Sequence, residues 1–138
     1  MIDALTAAMR TAGSGLAAET QRIRIVSENL ANANSTGATA GSDPYVRRTI
    51  TFGEQLSRED GVRFVTVRSI GRDSAPFKLV HDPGNQAADE NGNVKTPNVQ
   101  PMIEMADLRE ANRSYQANLQ VIRQARDLYS MTVDLMKP

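Results

Sequence analysis

The sequence predicts a mainly α protein with a small β insert, in which long N- and C-terminal helices pack as a coiled-coil-like module around a β-rich middle domain. Three observations carry this expectation. Apolar residues recur in steps of three and four near both ends of the 138-residue chain. The stretch Met102 to Lys137 holds neither glycine nor proline. The intervening stretch, 35–101, holds most of the glycines and every proline except Pro138. The expected division is therefore a terminal helical module, 1–37 with 102–138, and a β-rich insert, 38–101.

In the first helix, Ile2 to Asn34, the stripe runs Leu5, Met9, Ala12, Leu16, Ile23, Val26, Leu30 and Ala33. It is heptad-like and narrower than the apolar face of an ordinary globular helix. Gly13 and Gly15 interrupt it, each costing about 0.5–1 kcal/mol relative to alanine. A helix so built is weak alone, and the two small residues permit another helix to approach closely. At its end, Asn32, Asn34 and Gly37 tolerate left-handed backbone dihedrals. Asn34 or Gly37 is accordingly expected to take a positive φ and turn the chain out of the helix.

Three segments of the middle, Tyr45–Phe52, Val62–Ile70 and Phe77–His81, are β-branched or aromatic with partial period-two alternation, which predicts short strands. Gly71–Ser74 and Asp82–Gly84 have turn chemistry, and the polar run 89–98 contains Asn91-Gly92 and is closed by Pro97. The last helix carries a seam at Met105, Leu108, Asn112, Tyr115, Leu119, Ile122, Arg126, Tyr129, Val133 and Met136. A second stripe, Val121, Ala125, Leu128 and Leu135, widens its apolar face. Wholly helical, this segment spans ~54 Å at 1.5 Å per residue. So long a helix in so short a chain calls for partner helices on its flanks.

Composition removes several function classes. Lysine plus arginine and aspartate plus glutamate each total 16, so the net charge is zero. A nucleic-acid binder normally shows a basic excess, and so does a protein drawn to an anionic membrane. With no cysteine there is no disulfide, thiolate metal site or thiol nucleophile, and one histidine cannot build a multi-histidine centre. Aromatic residues make up 4% with no tryptophan, which is thin for one compact core. No window approaches the ~18 apolar residues of a membrane span. Met1–Arg10 lacks the basic region and apolar core of a cleaved secretory signal, so the expectation is a cytoplasmic protein or one exported by a route that reads no such signal.

The end of the first helix reads Asn29-Leu30-Ala31-Asn32-Ala33-Asn34-Ser35-Thr36-Gly37. It resembles the Asn-Leu-Ala-Asn-x-Asn-Thr-x-Gly signature of bacterial flagellar rod and hook proteins. Glu110-Ala111-Asn112-Arg113-Ser114-Tyr115-Gln116-Ala117-Asn118-Leu119 resembles the Tyr-Gln-Ala-Asn helix of the same family. In the middle, Asp82-Pro83-Gly84, Ala88-Asp89, Asn91-Gly92, Val94 and Thr96–Val99 are similar to the family's proximal rod subunits. The chain departs from that pattern at Asn85-Gln86, where histidine-proline is common, and at Asn93, where tyrosine is common; 38–70 matches less closely. The resemblance implies a structural subunit of the flagellar basal-body rod that polymerises through its terminal helices into the drive-shaft tube. It further implies export, unfolded and without a cleaved signal, through the flagellar type III apparatus. The implied partners are copies of itself, other rod subunits, and basal-body ring or adaptor proteins. The implied location is the periplasmic rod.

On this reading Leu16, Ile23, Val26, Leu30, Leu108, Tyr115, Leu119, Ile122 and Tyr129 carry assembly, while Asn29, Asn32, Asn34 and Gly37 shape the helix end. The insert contacts lateral neighbours, and no residue is assigned to catalysis, a cofactor or a metal. A coiled-coil adaptor that clamps a partner helix without polymerising is the alternative. Weaker motifs fail on context. Gly13-Ser14-Gly15 with Ala18 lacks the strand a dinucleotide loop requires. Asp89-x-Asn91-x-Asn93 begins like a calcium loop, but Val94 stands at the glycine position and Gln100 at the bidentate glutamate. His81 is expected to be a loop or surface residue. Arg47-Arg48 and the pair Arg123 and Arg126 are expected to be solvated or to pair with another subunit.

Overall fold

The computed structural model describes residues 2–59 and 61–135. Its elements are α1 (Ile2–Ala31), β1 (Arg48–Leu56), β2 (Arg63–Arg72), β3 (Lys78–His81), β4 (Asn93–Thr96) and α2 (Pro101–Leu135). Long terminal helices and a small β middle agree with the expected class. The strands form a β1–β2 sheet and a β3–β4 sheet of two strands each. The expected seam position Met136 lies outside the described residues.

Local chemistry sets the helix limits. Asp3 lies in the first turn of α1, where a negative charge complements the exposed N–H groups. At the other end, the Ala33 N–H donates to Leu30 O (3.3 Å) and the Ser35 N–H to Asn32 O (3.1 Å). These tighter three-residue spacings close the helix with right-handed dihedrals. Pro101 opens α2 at the position where a missing N–H costs no helical bond. Gln100 O accepts from the N–H groups of Ile103 (3.0 Å) and Glu104 (3.1 Å).

The chain divides into two compact units, each drawing on both helices. The first comprises Met1–Ile23, Thr51–Ser69 and Arg109–Pro138. Its hairpin turns where Ser57 N–H donates to Val62 O (2.8 Å) and Gly61 N–H to Ser57 O (3.0 Å). Gly61 has φ 66°, the left-handed region that favours glycine. β2 is tied to α1 by Thr11 Oγ1 donating to Arg63 O (3.3 Å) and Val65 N–H donating to Ser14 Oγ (3.1 Å). The Arg10 guanidinium lies 5.1 Å from the Phe64 ring centroid. Gly15 meets the expectation of close helix approach: a Cβ there would stand 2.7 Å from Asn118 Nδ2 of α2. Gly13 does not, since a Cβ at that position would meet nothing within 4 Å.

The second unit comprises Arg24–Ile50 and Ile70–Leu108. Ile25, Val26, Ala33, Ala87, Val94 and Val99 form its apolar core. β3 and β4 run antiparallel with Lys78 opposite Thr96 and His81 opposite Asn93. β4 lies inside the polar run that carried no expected strand. A turn builds it: Asp89 Oδ1 accepts from the N–H groups of Asn91 and Asn93 at 2.9 Å each, and Gly92 adopts φ 78°. Val94 then alternates into the core beside half-buried neighbours.

Candidate assembly site

Asn29 stands at the centre of the second unit, 1% exposed. Its amide fills all four of its hydrogen-bonding positions. Nδ2 donates to Arg48 O (2.9 Å) and to Glu104 Oε2 (3.1 Å). Oδ1 accepts from the Tyr45 hydroxyl (2.8 Å) and the Arg48 N–H (2.8 Å). The side chain therefore treats Arg48 as a strand partner would, taking its N–H and its carbonyl together, and so fixes the start of β1 against α1. Glu104, with no exposed surface, extends the network from α2 by accepting from Arg47 Nε at 2.5 Å. Arg47 reaches Asp73 Oδ2 through a second nitrogen (3.2 Å), while its N–H donates to Asn98 Oδ1 (2.8 Å). Asn98 Nδ2 donates on to Asp73 O (3.3 Å) and Ala75 O (2.9 Å).

A charge removed from water this completely is tolerated only when paired and hydrogen-bonded. Burial disfavours the Arg47 cation, but the hydrogen bond and charge of Glu104, then those of Asp73, outweigh it and raise the guanidinium pKa. Burial, with the charges of Glu28 and Glu104, likewise raises the Tyr45 pKa, against a smaller lowering by Arg48. The expectation that Arg47 and Arg48 are solvated or paired between subunits is corrected. Arg47 pairs with Glu104 and Asp73, and Arg48 pairs with Glu28 at 2.6 Å, all within the chain. No site role was legible in the sequence for Tyr45, Asn98 or Glu104, although Asn98 lies in the Thr96–Val99 match and Tyr45 opens an expected strand.

The helix-end residues differ from one another. Asn32 Nδ2 donates to Glu28 O (2.8 Å), capping the final turn, and Asn34 is exposed. Neither Asn34 nor Gly37 has a positive φ; among the described residues that conformation is confined to Gly41, Gly61 and Gly92. The expected left-handed exit is therefore wrong, because the tight turns at Ala33 and Ser35 achieve the same change of direction. Gly37 is needed for space instead. A Cβ there would collide with Ser42 Oγ and stand 2.6 Å from Ser42 O.

The structure places the expected seam residues mostly at the edge of burial. Leu16, Ile23, Leu30, Leu108, Tyr115, Leu119 and Ile122 are half-buried, Val26 is buried, and Tyr129 is exposed. The positions buried deepest in the first unit carry small side chains: Ala12, Gly15 and Ala18 on α1, Ala111 and Ala125 on α2. Large apolar groups stay open to solvent on α2, with Leu128 at 52%, Met131 at 62% and Leu135 at 88%.

Among the described residues, no group of three histidine, cysteine, aspartate or glutamate side chains is placed to hold a metal. No described helix is long and apolar enough to cross a membrane. The groove between α1 and β2 is lined by Ala17, Ala18, Phe64, Val65 and Val67, with glutamines and hydroxyls at its edge.

Residues 90–135 match the family described as flagellar basal body rod FlgEFG protein C-terminal, and residues 9–39 match flagella basal body rod protein. The chain is 60% identical over 136 residues to the flagellar basal-body rod protein FlgC of Agrobacterium fabrum, covering 99% of this chain and 98% of that one. It is 40% identical over 124 residues to FlgC of Salmonella typhimurium, covering 90% and 92%. FlgC of Yersinia enterocolitica is 40% identical over 126 residues, again covering 90% and 92%. Helices at both ends, a polar node that ties them to the insert, and full-length likeness to these relatives agree: the chain belongs to the flagellar basal-body rod protein FlgC family, a structural subunit of the basal body and not an enzyme.

Proposed function

We propose that the chain enters the rod by stacking its terminal helical module, 1–37 with 102–138, against the helices of neighbouring subunits, while the insert, 38–101, meets lateral neighbours. One observation carries this reading: the buried positions of α2 in the first unit are alanines, and its large apolar side chains at Leu128, Met131 and Leu135 remain exposed. Burying them against another helix would contribute about 25 cal/mol per Å² of apolar surface. The flanking residues Leu16, Ile23, Leu30, Leu108, Tyr115, Leu119, Ile122 and Tyr129, with Val26 setting the shape of α1, would form a coiled-coil-like seam. The partners are copies of this chain, other rod subunits and basal-body ring or adaptor proteins. The route is the flagellar type III export apparatus, without a cleaved signal, to the periplasmic rod.

Leu119→Asp tests the reading. An unpaired carboxylate in a closed seam costs several kcal/mol, on the order of the penalty for burying a lone charge. The expected outcome is loss of motility and of incorporation into basal bodies, with export into the periplasm retained. Motility equal to wild type at matched expression would overturn the assignment of Leu119 to an interface.

A further inference from the structure

The edge of β3 is open, and its chemistry is self-complementary. Asp82 N–H donates to Gly92 O (2.9 Å), two residues beyond the Val80–Val94 pair on the same ladder. Hydrogen-bonded and non-hydrogen-bonded pairs alternate along an antiparallel ladder. Lys78 and Val80 therefore turn their amide groups toward β4, Asp82 just past the strand does so with its N–H while its carbonyl accepts from Asn85 N–H (3.1 Å), and Leu79 and His81 turn theirs outward. No hydrogen bond from elsewhere among the described residues reaches the backbone of Leu79 or His81. The far edge of β4 differs, because Asn93 O and N–H are both engaged by Asp89. All four β3 residues are exposed, Leu79 at 67% and Val80 at 49%. A strand that exposes two apolar side chains beside an open edge is a template for pairing with another strand.

We propose that a second copy of this chain pairs with β3 edge to edge, antiparallel and two-fold related, to make a continuous sheet in the order β4–β3–β3–β4. The register follows from the residues. Centring the two-fold axis on Val80 sets Leu79 opposite the partner's His81 and His81 opposite the partner's Leu79. Every outward N–H and carbonyl of the strand is then used. The same register sets Lys78 opposite the partner's Asp82, and Asp82 opposite the partner's Lys78. Neither Lys78 nor Asp82 has an ionic partner among the described residues. Sliding by two residues one way presents Pro83, which has no N–H, to the partner's Leu79. Sliding the other way sets Lys78 against the partner's Val80 and leaves Asp82 unmatched. A two-fold contact of this kind closes on itself, whereas a rod grows by contacts that do not. The pair therefore belongs to the subunit before it is assembled, and it leaves the terminal helices out of the contact.

Disulfide trapping on the full chain tests this, because the chain has no cysteine of its own. Val80→Cys puts the two thiols at a non-hydrogen-bonded antiparallel pair. There the Cβ atoms are close enough for a disulfide, so under mild oxidation dimer forms about tenfold faster than from the exposed control Leu56→Cys. Adding Lys78→Asp to Val80→Cys abolishes that advantage, and adding Asp82→Lys as well restores it, since the swapped charges again face each other. Sedimentation of the wild-type chain shows a dimer that Lys78→Asp makes monomeric. Equal trapping at positions 80 and 56, or no recovery in the double charge swap, overturns the proposal. Failure of seam variants such as Leu119→Asp to enter the rod would leave these results unchanged.

Discussion

Replacing Asn29 by aspartate keeps its shape and changes one group, so its cost isolates the chemistry of the buried node. The amide nitrogen that donates to Glu104 Oε2 over 3.1 Å becomes an oxygen. Two carboxylates then face each other with no donor between them, and Arg48 O also loses its donor. If both stayed ionised, their repulsion would be about 5 kcal/mol at an effective dielectric of 20. Taking up one proton is cheaper. Moving a carboxyl from its usual pKa near 4 to a protonated state at pH 7 costs about 4 kcal/mol, at roughly 1.4 kcal/mol per pH unit. The pair is therefore expected to titrate with one pKa raised in the folded protein. The sign is fixed: a raised carboxyl pKa makes the folded state bind more protons than the unfolded one, so stability falls as pH rises through the window above 4. Asn29→Asp should lose about 4 kcal/mol relative to wild type at pH 7, shrinking by ~1.4 kcal/mol per unit toward pH 4.5. Urea unfolding of both proteins across pH 4.5–7.5, followed by helical circular dichroism, measures it. Adding Glu104→Gln restores a donor between the two positions and should recover most of the loss. A loss below ~1 kcal/mol at pH 7, or one that does not change with pH, would refute the claim that the node is closed to water and holds the helices.

Gly37→Ala should destabilise by about 2–3 kcal/mol, because the backbone at Ser42 must move to admit a Cβ. Gly41→Ala meets open space and carries only the left-handed backbone cost of about 1–2 kcal/mol. Urea midpoints in the reverse order would contradict this. Glu19→Gln should stabilise the protein at neutral pH. Burial, partly offset by Arg22 and reinforced by Glu110, raises the Glu19 pKa above 4.5, and Glu19 Oε2 is buried without a hydrogen bond. The ionised form is thus penalised in the fold, and the advantage should disappear as pH falls below 4.5, where Glu19 is protonated in both states. A pH-independent difference would point to packing instead.

The helices were legible because a period of three and four residues survives in a linear string, and Pro101 and the Asn32–Ser35 turn mark their limits. The flagellar rod signature near Asn29 pointed to the family, and likeness along the whole chain bears it out. The part played by Asn29 itself was not legible. Its partners Tyr45, Arg48 and Glu104 lie 16, 19 and 75 residues away, and no local pattern announces a buried amide with every position filled. Arg47 and Arg48 read as surface charges for the same reason. β4 escaped because Asn93–Thr96 has the composition of a loop and becomes a strand through the turn at Asp89 and Gly92. Gly37 was singled out for backbone freedom, whereas its neighbour in space, Ser42, makes it a matter of room.

Assembly of this rod subunit through its terminal helices is the step on which the proposed function depends. Electron cryomicroscopy of purified basal bodies tests it most directly. This chain is expected in the rod, with Leu119, Leu128 and Met131 buried against helices of adjacent subunits. Those side chains facing solvent or only their own chain in the assembled rod would contradict it.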